Sequence, residues 1–535
     1  MRMYDLVIKN ANIYDGAGNA PMFGHVFVKN GKIVSVEKDM LGYFSCDAEN
    51  AIDAQGMDLA PGFIDSHSHA DESIFADPER DYVLKMGVTT EVAGQCGHTS
   101  SPFPENADRK FFAMASGNYG GKPYECFSDM AADVEKLPLG PNQIWFTGHG
   151  ALRTYAMGGF ENRKATPAEI GKMQELLRRE MEGGALGFTS GLAYVPGIYS
   201  DAEELSQVAM AMKPFGGIYS SHTRSESAGL FDAVKECIDV ARKAGIRANI
   251  SHFKACYPEF WDRMDRALQM VDEARAEGLD ITMDAYPYIA VSTTTLSAMP
   301  SQFLTGGAEA FAESLKDPNV AAAVRREIYD IDSPAWDNAL KHAGPDKFLI
   351  VRAEDTPWIQ GKSYTEVAEK MHLDPFDAVI WALRENHGKI TDVRFIMTEE
   401  NVEKVLKHPV CTVGSDGIYA KGRDTSAHPR AFGTFPRYLG HYIREREILS
   451  REEGIRRITG LPAERYGLKT KGFARPGYDA DLVLFDYDTI RDGADFKDQT
   501  KPNEGISRVI IKGKTVVLEN ELTGIRNGEF YRRSV

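Results

Sequence analysis

The chain has 535 residues, 43% hydrophobic and 26% charged, which excludes disordered and fibrous classes and predicts two compact units. Its 62 Lys and Arg against 78 Asp and Glu leave a net charge of −16, which repels phosphate backbones and anionic lipid. No nucleic-acid or membrane partner is expected.

The amino terminus breaks its apolar run with Asp5 and Lys9, so it lacks the apolar core of a secretory signal. No window approaches the roughly 18 consecutive apolar residues of a membrane span. The six cysteines, Cys46, Cys96, Cys126, Cys237, Cys256 and Cys411, show no CxxC spacing. They read as reduced thiols, with metal ligation or a catalytic thiol as the exceptions of interest. The expectation is a soluble, cytoplasmic protein.

The first 60 residues hold short β-rich runs at Tyr4-Asp5-Leu6-Val7-Ile8, Gly24-His25-Val26-Phe27-Val28 and Gly31-Lys32-Ile33-Val34-Ser35-Val36, punctuated by Asn and Gly. The same texture returns at Asp481-Leu482-Val483-Leu484-Phe485 and from Val509 to Val517. One small β-sandwich-like domain built from both termini, residues 1–60 plus 468–535, is expected.

Between them, residues 61–467 alternate apolar runs with amphipathic stretches. Runs end near Asp65, Ala93, Thr147, Thr189, Ser221, Ser251, Asp284 and Gly414, with helical periodicity at Pro167 to Glu182, Ala202 to Met212 and Phe260 to Glu277. Alternation repeated about eight times predicts an α/β fold, a closed (β/α)8 barrel. A doubly wound sheet is the competing architecture, and no GxGxxG follows the early strands to support it. The interval from Val291 to His408 exceeds one βα unit and must hold extra helices or an insertion.

Candidate chemistry sits at the strand ends. His67 and His69 follow Gly62-Phe63-Ile64-Asp65, and residues two apart in an extended chain share a side. For the pair alone, a solvated turn competes with a metal site. Cys96, His222, His252 and Asp416 end or closely follow four further runs. Six metal-type side chains at five equivalent strand ends of a barrel would ring its opening, where barrel enzymes place their sites. Sulfur, nitrogen and carboxylate donors together suit Zn²⁺, which polarises carbonyls and activates water. Asp416 would accept a proton from water and pass it to a leaving nitrogen; a helix N-cap is its structural alternative. His149, in Gly148-His149-Gly150, could support the ligands, although packing is the simpler reading of it and of His98.

Pro61-Gly62-Phe63-Ile64-Asp65-Ser66-His67-Ser68-His69 resembles the amidohydrolase superfamily. Closer is the resemblance to the D-aminoacylase (N-acyl-D-amino-acid deacylase) family, carried by Gly187 to Gly197, His222-Thr223-Arg224-Ser225-Glu226, Ser251-His252-Phe253-Lys254, Tyr286-Pro287-Tyr288, Gly414-Ser415-Asp416-Gly417 and His428 to Arg437. It runs from near residue 1 to about 485. The resemblance implies a zinc held tightly by Cys96, His222 and His252. It also implies a second, weaker position at His67, His69 and Asp416, with Cys96 bridging where many relatives use a carboxylated Lys. It implies that Lys254, Tyr286, Ser292 and Arg430 hold the substrate's α-carboxylate, with Tyr194 near the scissile carbonyl. A mobile cover over the site, at about 291–350, is implied as well.

Two departures stand out: Val291 occupies a position often held by Gly, and the segment from Asp416 to Arg430 is longer than usual. Members that prefer acidic side chains carry an Arg shortly after Tyr-Pro-Tyr. Here Leu296-Ser297-Ala298-Met299-Pro300 has no charge, so a neutral or apolar preference is expected. The expected activity is zinc-dependent hydrolysis of small-molecule N-acyl-D-amino acids. The alternative is a cyclic-amide hydrolase of the hydantoinase or dihydroorotase kind, which would use a strand-end Lys in place of Cys96. A deaminase is disfavoured because His222 and Glu226 are one residue too far apart for its His-x-x-Glu. A scaffold that had lost its metal would not be expected to keep all six donors.

Overall fold

The structure, a computed structural model, describes residues 3–39, 48–104, 122–331, 336–418 and 428–533. Cys46 and most of the long segment between Asp416 and Arg430 lie outside the described residues. Five strands open the chain: β1 (Tyr4–Ile13), β2 (Met22–Lys29), β3 (Lys32–Lys38), β4 (Ala48–Asp53) and β5 (Asp58–Pro61). The β2–β3 hairpin turns on Asn30 and Gly31, both at positive φ (51° and 73°), the pairing a two-residue primed turn demands.

Next come β6 (Phe63–Asp65), β7 (Val88–Ala93), β8 (Asn142–Trp145), β9 (Thr147–Gly148), β10 (Gly187–Gly191), β11 (Ile218–His222), β12 (Arg247–Ile250) and β13 (Ile281–Ala285). After them come β14 (Val291–Thr294), β15 (Phe348–Arg352), β16 (Thr391–Arg394) and β17 (Cys411–Val413). Four more follow: β18 (Leu482–Phe485), β19 (Ile506–Ile511), β20 (Lys514–Leu518) and β21 (Glu521–Leu522).

Parallel pairing runs β6-β7-β8 and then β9-β10-β11-β12-β13-β17. Only Phe146 separates β8 from β9, so together they fill one position and the ring has eight. It closes where Ser66 N–H donates to the Val413 carbonyl (3.1 Å) and Asp416 N–H to the His67 carbonyl (2.7 Å). This is the (β/α)8 barrel expected from the alternation. Its strands are buried almost throughout, as parallel strands covered on both faces must be.

The helical periodicity is only partly α. Pro167–Glu182 is an α-helix opened by a Thr166/Glu169 capping box with Pro167 at its first position. The second stretch is α only over Ala202–Ala209 and tightens to a 3₁₀ turn, Met210–Phe215, which contains Pro214. Proline removes an intrahelical donor there. The third starts as a 3₁₀ turn, Pro258–Arg263, before the α-helix Met264–Ala276.

β1–β5 and β18–β21 form one nine-stranded sheet, ordered β21-β20-β19-β18-β5-β1-β2-β3 with β4 on β1. Both chain ends therefore contribute, joined where β5 lies antiparallel to β18. Between β13 and β17 the interval holds several helices, as expected. It also holds an antiparallel three-stranded sheet, β14-β16-β15, not foreseen from the sequence. β14 opens the 291–350 interval and β15 straddles its end, while the central strand lies at 391–394.

Candidate metal centre

The loop after β7 turns sharply. Gly94, Cys96 and Gly97 all take positive φ (78°, 55° and 77°). Gly97 is required by crowding as well, since a Cβ there would lie 2.7 Å from the Gly191 backbone nitrogen. The turn drives Cys96 inward, where its Sγ lies 3.5 Å from His67 Nε2, 3.7 Å from His222 Nδ1 and 3.6 Å from His252 Nε2. His252 (φ 34°) and Asp416 (φ 50°) are likewise left-handed. Such backbone costs about 1–3 kcal/mol per residue and clusters at functional sites. Asp416 is not the N-cap of any helix among the described residues; the next, Arg430–Arg437, is capped by Pro429.

Two overlapping groups of buried donors result. His67, His69, Cys96 and Asp416 each offer one ligand atom within 4.8 Å of the others, as do Cys96, His222 and His252. Asp416 Oδ1 is 3.1 Å from His69 Nε2 and 3.5 Å from His67 Nε2. The spacing fits a metal. Nitrogen and sulfur ligands at tetrahedral Zn²⁺, about 2.0–2.1 and 2.3 Å away, would be about 3.5–3.6 Å apart.

The electrostatics agree. Burial opposes charge on His67, but Asp284 and Cys96 outweigh it and hold the ring's pKa up at about 10. Burial would likewise raise the Cys96 thiol, but the charge of His67 and the three imidazole contacts hold it well below its ordinary range. The cluster demands positive charge.

Carboxylates turn the imidazoles. Asp284 Oδ1 lies 3.0 Å from His67 Nδ1, Glu72 Oε1 3.3 Å from His69 Nδ1, and Glu226 Oε1 3.1 Å from His252 Nδ1. Asp284 Oδ1 also accepts from the His252 backbone N–H (2.7 Å). Beneath the histidine pair, buried Glu91 accepts from Arg80 Nε (2.6 Å), Arg80 Nη2 (2.9 Å), Gln143 Nε2 (2.7 Å) and Ser68 Oγ (2.8 Å). Ser68, between the two histidines, is thus anchored.

Beside the donors lies a cationic face. Lys254 Nζ and the Arg430 guanidinium stand 5.5 and 4.7 Å from the Tyr286 ring centre. Arg430 Nη1 pairs with Asp416 Oδ2 at 2.8 Å, and Nη2 donates to the Ser292 carbonyl at 3.3 Å. Against burial, the charge of Arg430 holds the Asp416 carboxyl well below the usual range. The Tyr194 ring packs on His222 (4.6 Å), and its hydroxyl meets Thr293 Oγ1 at 3.1 Å. Tyr194, Lys254, Tyr286, Ser292 and Arg430 are thus brought to one side of the donor cluster.

Lys254 arrives by another route than expected. An extended chain would put it on the side of His252, but β12 ends at Ile250 and His252 is left-handed. The lysine instead folds back, with Nζ 2.6 Å from His252 Nδ1 and 2.6 Å from Glu226 Oε1. His149 stands apart: its Nε2 meets Glu204 Oε1 at 3.0 Å, with Arg153 Nε on the same oxygen. The packing reading is the right one for it. His98 stacks near Tyr194 at 5.4 Å.

Asp284, Glu72 and Glu91 were not singled out from sequence, and Glu226 was weighed only as the missing partner of a deaminase motif. Asp284 carried a usable signal, because it ends an apolar run as the ligand candidates do. A cavity of about 10 Å³ beside His252, Lys254 and Tyr286 has Met264, Met397 and Val402 in its wall.

The model of the amidohydrolase family matches residues 50–517. D-aminoacylase of Alcaligenes xylosoxydans xylosoxydans is 29% identical over 99% of this chain and 98% of its own. N-acyl-D-glutamate deacylase of the same organism is 30% identical over 96% and 93%. The solved N-acyl-D-glutamate deacylase of Bordetella bronchiseptica, complexed with zinc and a phosphonate mimic of the tetrahedral intermediate, superposes with a TM-score of 0.82. It is 29% identical and covers 99% of both chains. The L-hydantoinase of Arthrobacter aurescens, 16% identical over 99% of this chain and all of its own at a TM-score of 0.56, shares the fold alone.

Proposed function

This chain belongs to the amidohydrolase family, and on that premise we propose that it hydrolyses N-acyl-D-amino acids to a carboxylate and a free D-amino acid. The observation that carries this reading is the Lys254–Tyr286–Arg430 face beside the Cys96-centred donors. A cationic face beside a metal cluster suits a linear substrate with one free carboxylate next to its amide. The relatives named for D-amino-acid deacylation support the same class. A hydantoin ring lacks that carboxylate, and the solved hydantoinase shares only the fold.

Zn²⁺ is the ion this donor set suits, held by Cys96, His222 and His252, with a second, weaker position at His67, His69, Asp416 and shared Cys96. When bound, it supplies Lewis acidity toward the acyl carbonyl and brings the acidity of water into the neutral range. Arg430, Lys254 and Tyr286, with Ser292, hold the α-carboxylate and so fix the scissile amide against the donors. Tyr194, whose ring packs on His222, is the group assigned to the scissile carbonyl. Asp416 Oδ1, the oxygen turned toward the histidines, takes the proton of the attacking water and returns it to the amide nitrogen as the C–N bond breaks.

A preference for neutral or apolar side chains is supported by the uncharged Leu296 to Pro300 stretch. The same reading divides the chain into a terminal β unit, residues 1–60 with 468–535, and a barrel, 61–467. The segment at about 291–350 would cover the site, a role supported by the contacts of Ser292 and Thr293 with Arg430 and Tyr194. A cytoplasmic setting is part of the proposal; among the described residues no helix is long and apolar enough to cross a membrane.

The test is chiral. Zinc-loaded protein is incubated with N-acetyl-D and N-acetyl-L forms of methionine, leucine and glutamate, alongside dihydroorotate and hydantoin, and the products are quantified. Release from D-forms, with Met and Leu ahead of Glu, is expected. Turnover of a cyclic amide with none of the acyl amino acids would sink the reading.

A further inference from the structure

His428 stands two residues before Arg430, yet nothing in the proposed hydrolysis uses it. Its side chain is buried, and each ring nitrogen meets a main-chain group that leaves no choice of proton. Nδ1 accepts from the Arg430 N–H at 3.0 Å, and Nε2 donates to the Ala290 carbonyl at 3.0 Å. A main-chain N–H can only donate and a carbonyl can only accept, so the ring is neutral with its proton on Nε2. Burial and the charge of Arg430 act in the same direction, holding the pKa of His428 well below the usual histidine range. The ring plane is fixed as well. It meets Tyr288 edge-on at 5.1 Å and Phe496, from the segment between β18 and β19, at 4.9 Å.

Both bonds converge on Arg430. Its N–H is one of the first donors of the helix Arg430–Arg437, which no carbonyl within the helix can satisfy. His428 satisfies it and so fixes the point from which the arginine side chain departs. The Ala290 carbonyl lies two residues before Ser292, whose own carbonyl accepts from Arg430 Nη2 at 3.3 Å. β14 begins at Val291 and is laddered to β16, so a hold on Ala290 is also a hold on Ser292. One imidazole thus fixes the root of the Arg430 side chain and the strand against which its tip rests.

We propose that His428 is a positioning residue for the substrate's α-carboxylate that acts only through Arg430, its two main-chain bonds setting the distance from the start of that helix to β14 and so aiming the guanidinium. The assignment rests on the proposed grip of Arg430 on that carboxylate.

Steady-state kinetics of the zinc-loaded, full-length protein on N-acetyl-D-methionine tests it. His428→Leu, which loses both bonds, is expected to raise KM about tenfold and to leave kcat within about twofold. Side-chain amides restore the bonds one at a time. In His428→Asn an amide oxygen replaces Nδ1, and in His428→Gln an amide NH₂ replaces Nε2, so each should raise KM only about threefold. The deciding arm is a double-mutant cycle. In an Arg430→Ala background, adding His428→Leu should change kcat/KM by less than about twofold, since no guanidinium is left to aim. If His428→Leu does not fold, His428→Gln takes its place in the cycle. An added loss as large as in the single variant would mean general damage to the site and overturn the assignment. So would a wild-type KM in folded His428→Asn and His428→Gln proteins, or a loss confined to kcat. A wild-type protein that hydrolyses no N-acyl-D-amino acid would instead remove the substrate reading, and the assignment with it.

Discussion

His149 and His252 both follow barrel strands, and both are buried, yet their nitrogens meet different company. Around His149 the charges cancel locally: Glu204 takes the imidazole and the Arg153 guanidinium on one oxygen. Around Cys96 the neighbours are electron-pair donors turned on one another, with too few hydrogens between them. A buried histidine at a strand end is thus a ligand candidate only when its neighbours also lack protons to share. Burial and position do not separate the two clusters; the donor–acceptor balance does.

The sharpest way to break that comparison is to remove the atom on which the donors converge. Cys96→Ala should abolish both zinc retention and turnover, the latter by at least about three orders of magnitude. Full activity in that variant would show the ligand assignment to be wrong. In the other cluster, Glu204→Gln leaves the Arg153 guanidinium buried without its carboxylate. About 3–5 kcal/mol of unfolding free energy should be lost, with zinc content unchanged. Denaturant unfolding of metal-loaded protein checks both halves. Despite burial, His149 and Arg153 lower the pKa of Glu204. Its contribution is therefore present above the ordinary glutamate range and is lost as pH falls through it and below. The wild-type advantage over Glu204→Gln should shrink in acid.

Arg430→Ala probes the cationic face without touching the proposed tight site. KM for an N-acyl-D-amino acid should rise about 30–100-fold, as expected for a lost charged contact, while zinc stays bound. A loss confined to kcat would instead assign Arg430 to Asp416 alone. The smallest effect is expected from Tyr194→Phe, which deletes one neutral hydrogen bond. A several-fold fall in kcat/KM, about 1 kcal/mol, is the predicted outcome in steady-state kinetics.

Much of this was legible in the chain because parallel strands covered on both faces are written as apolar runs, and the ligand candidates end those runs. Where pairing spans long separations the text is silent. The β14–β16 ladder joins Val291 to Arg394, and neither strand announces its partner. Lys254 reached His252 by a fold-back that an extended-chain argument could not supply, since the left-handed turn at His252 is a tertiary outcome. Glu226 and Glu72 were unreadable for another reason. A carboxylate in a loop is ordinary until the imidazole it faces is known.

The antiparallel contact between β5 and β18 also has a consequence in time. Leu59 and Ala60 are fully buried in the finished sheet, and β18 lies against them. On a ribosome adding about 5–20 residues per second, the roughly 400 residues between the two strands take about 20–80 s to appear. Throughout that wait β5 presents an unpaired apolar edge, the kind of surface on which nascent chains aggregate. The half-sheet β1–β5 must therefore either stay loosely formed or be shielded until the barrel has been made, and newly synthesised protein is most exposed to misassembly during that interval.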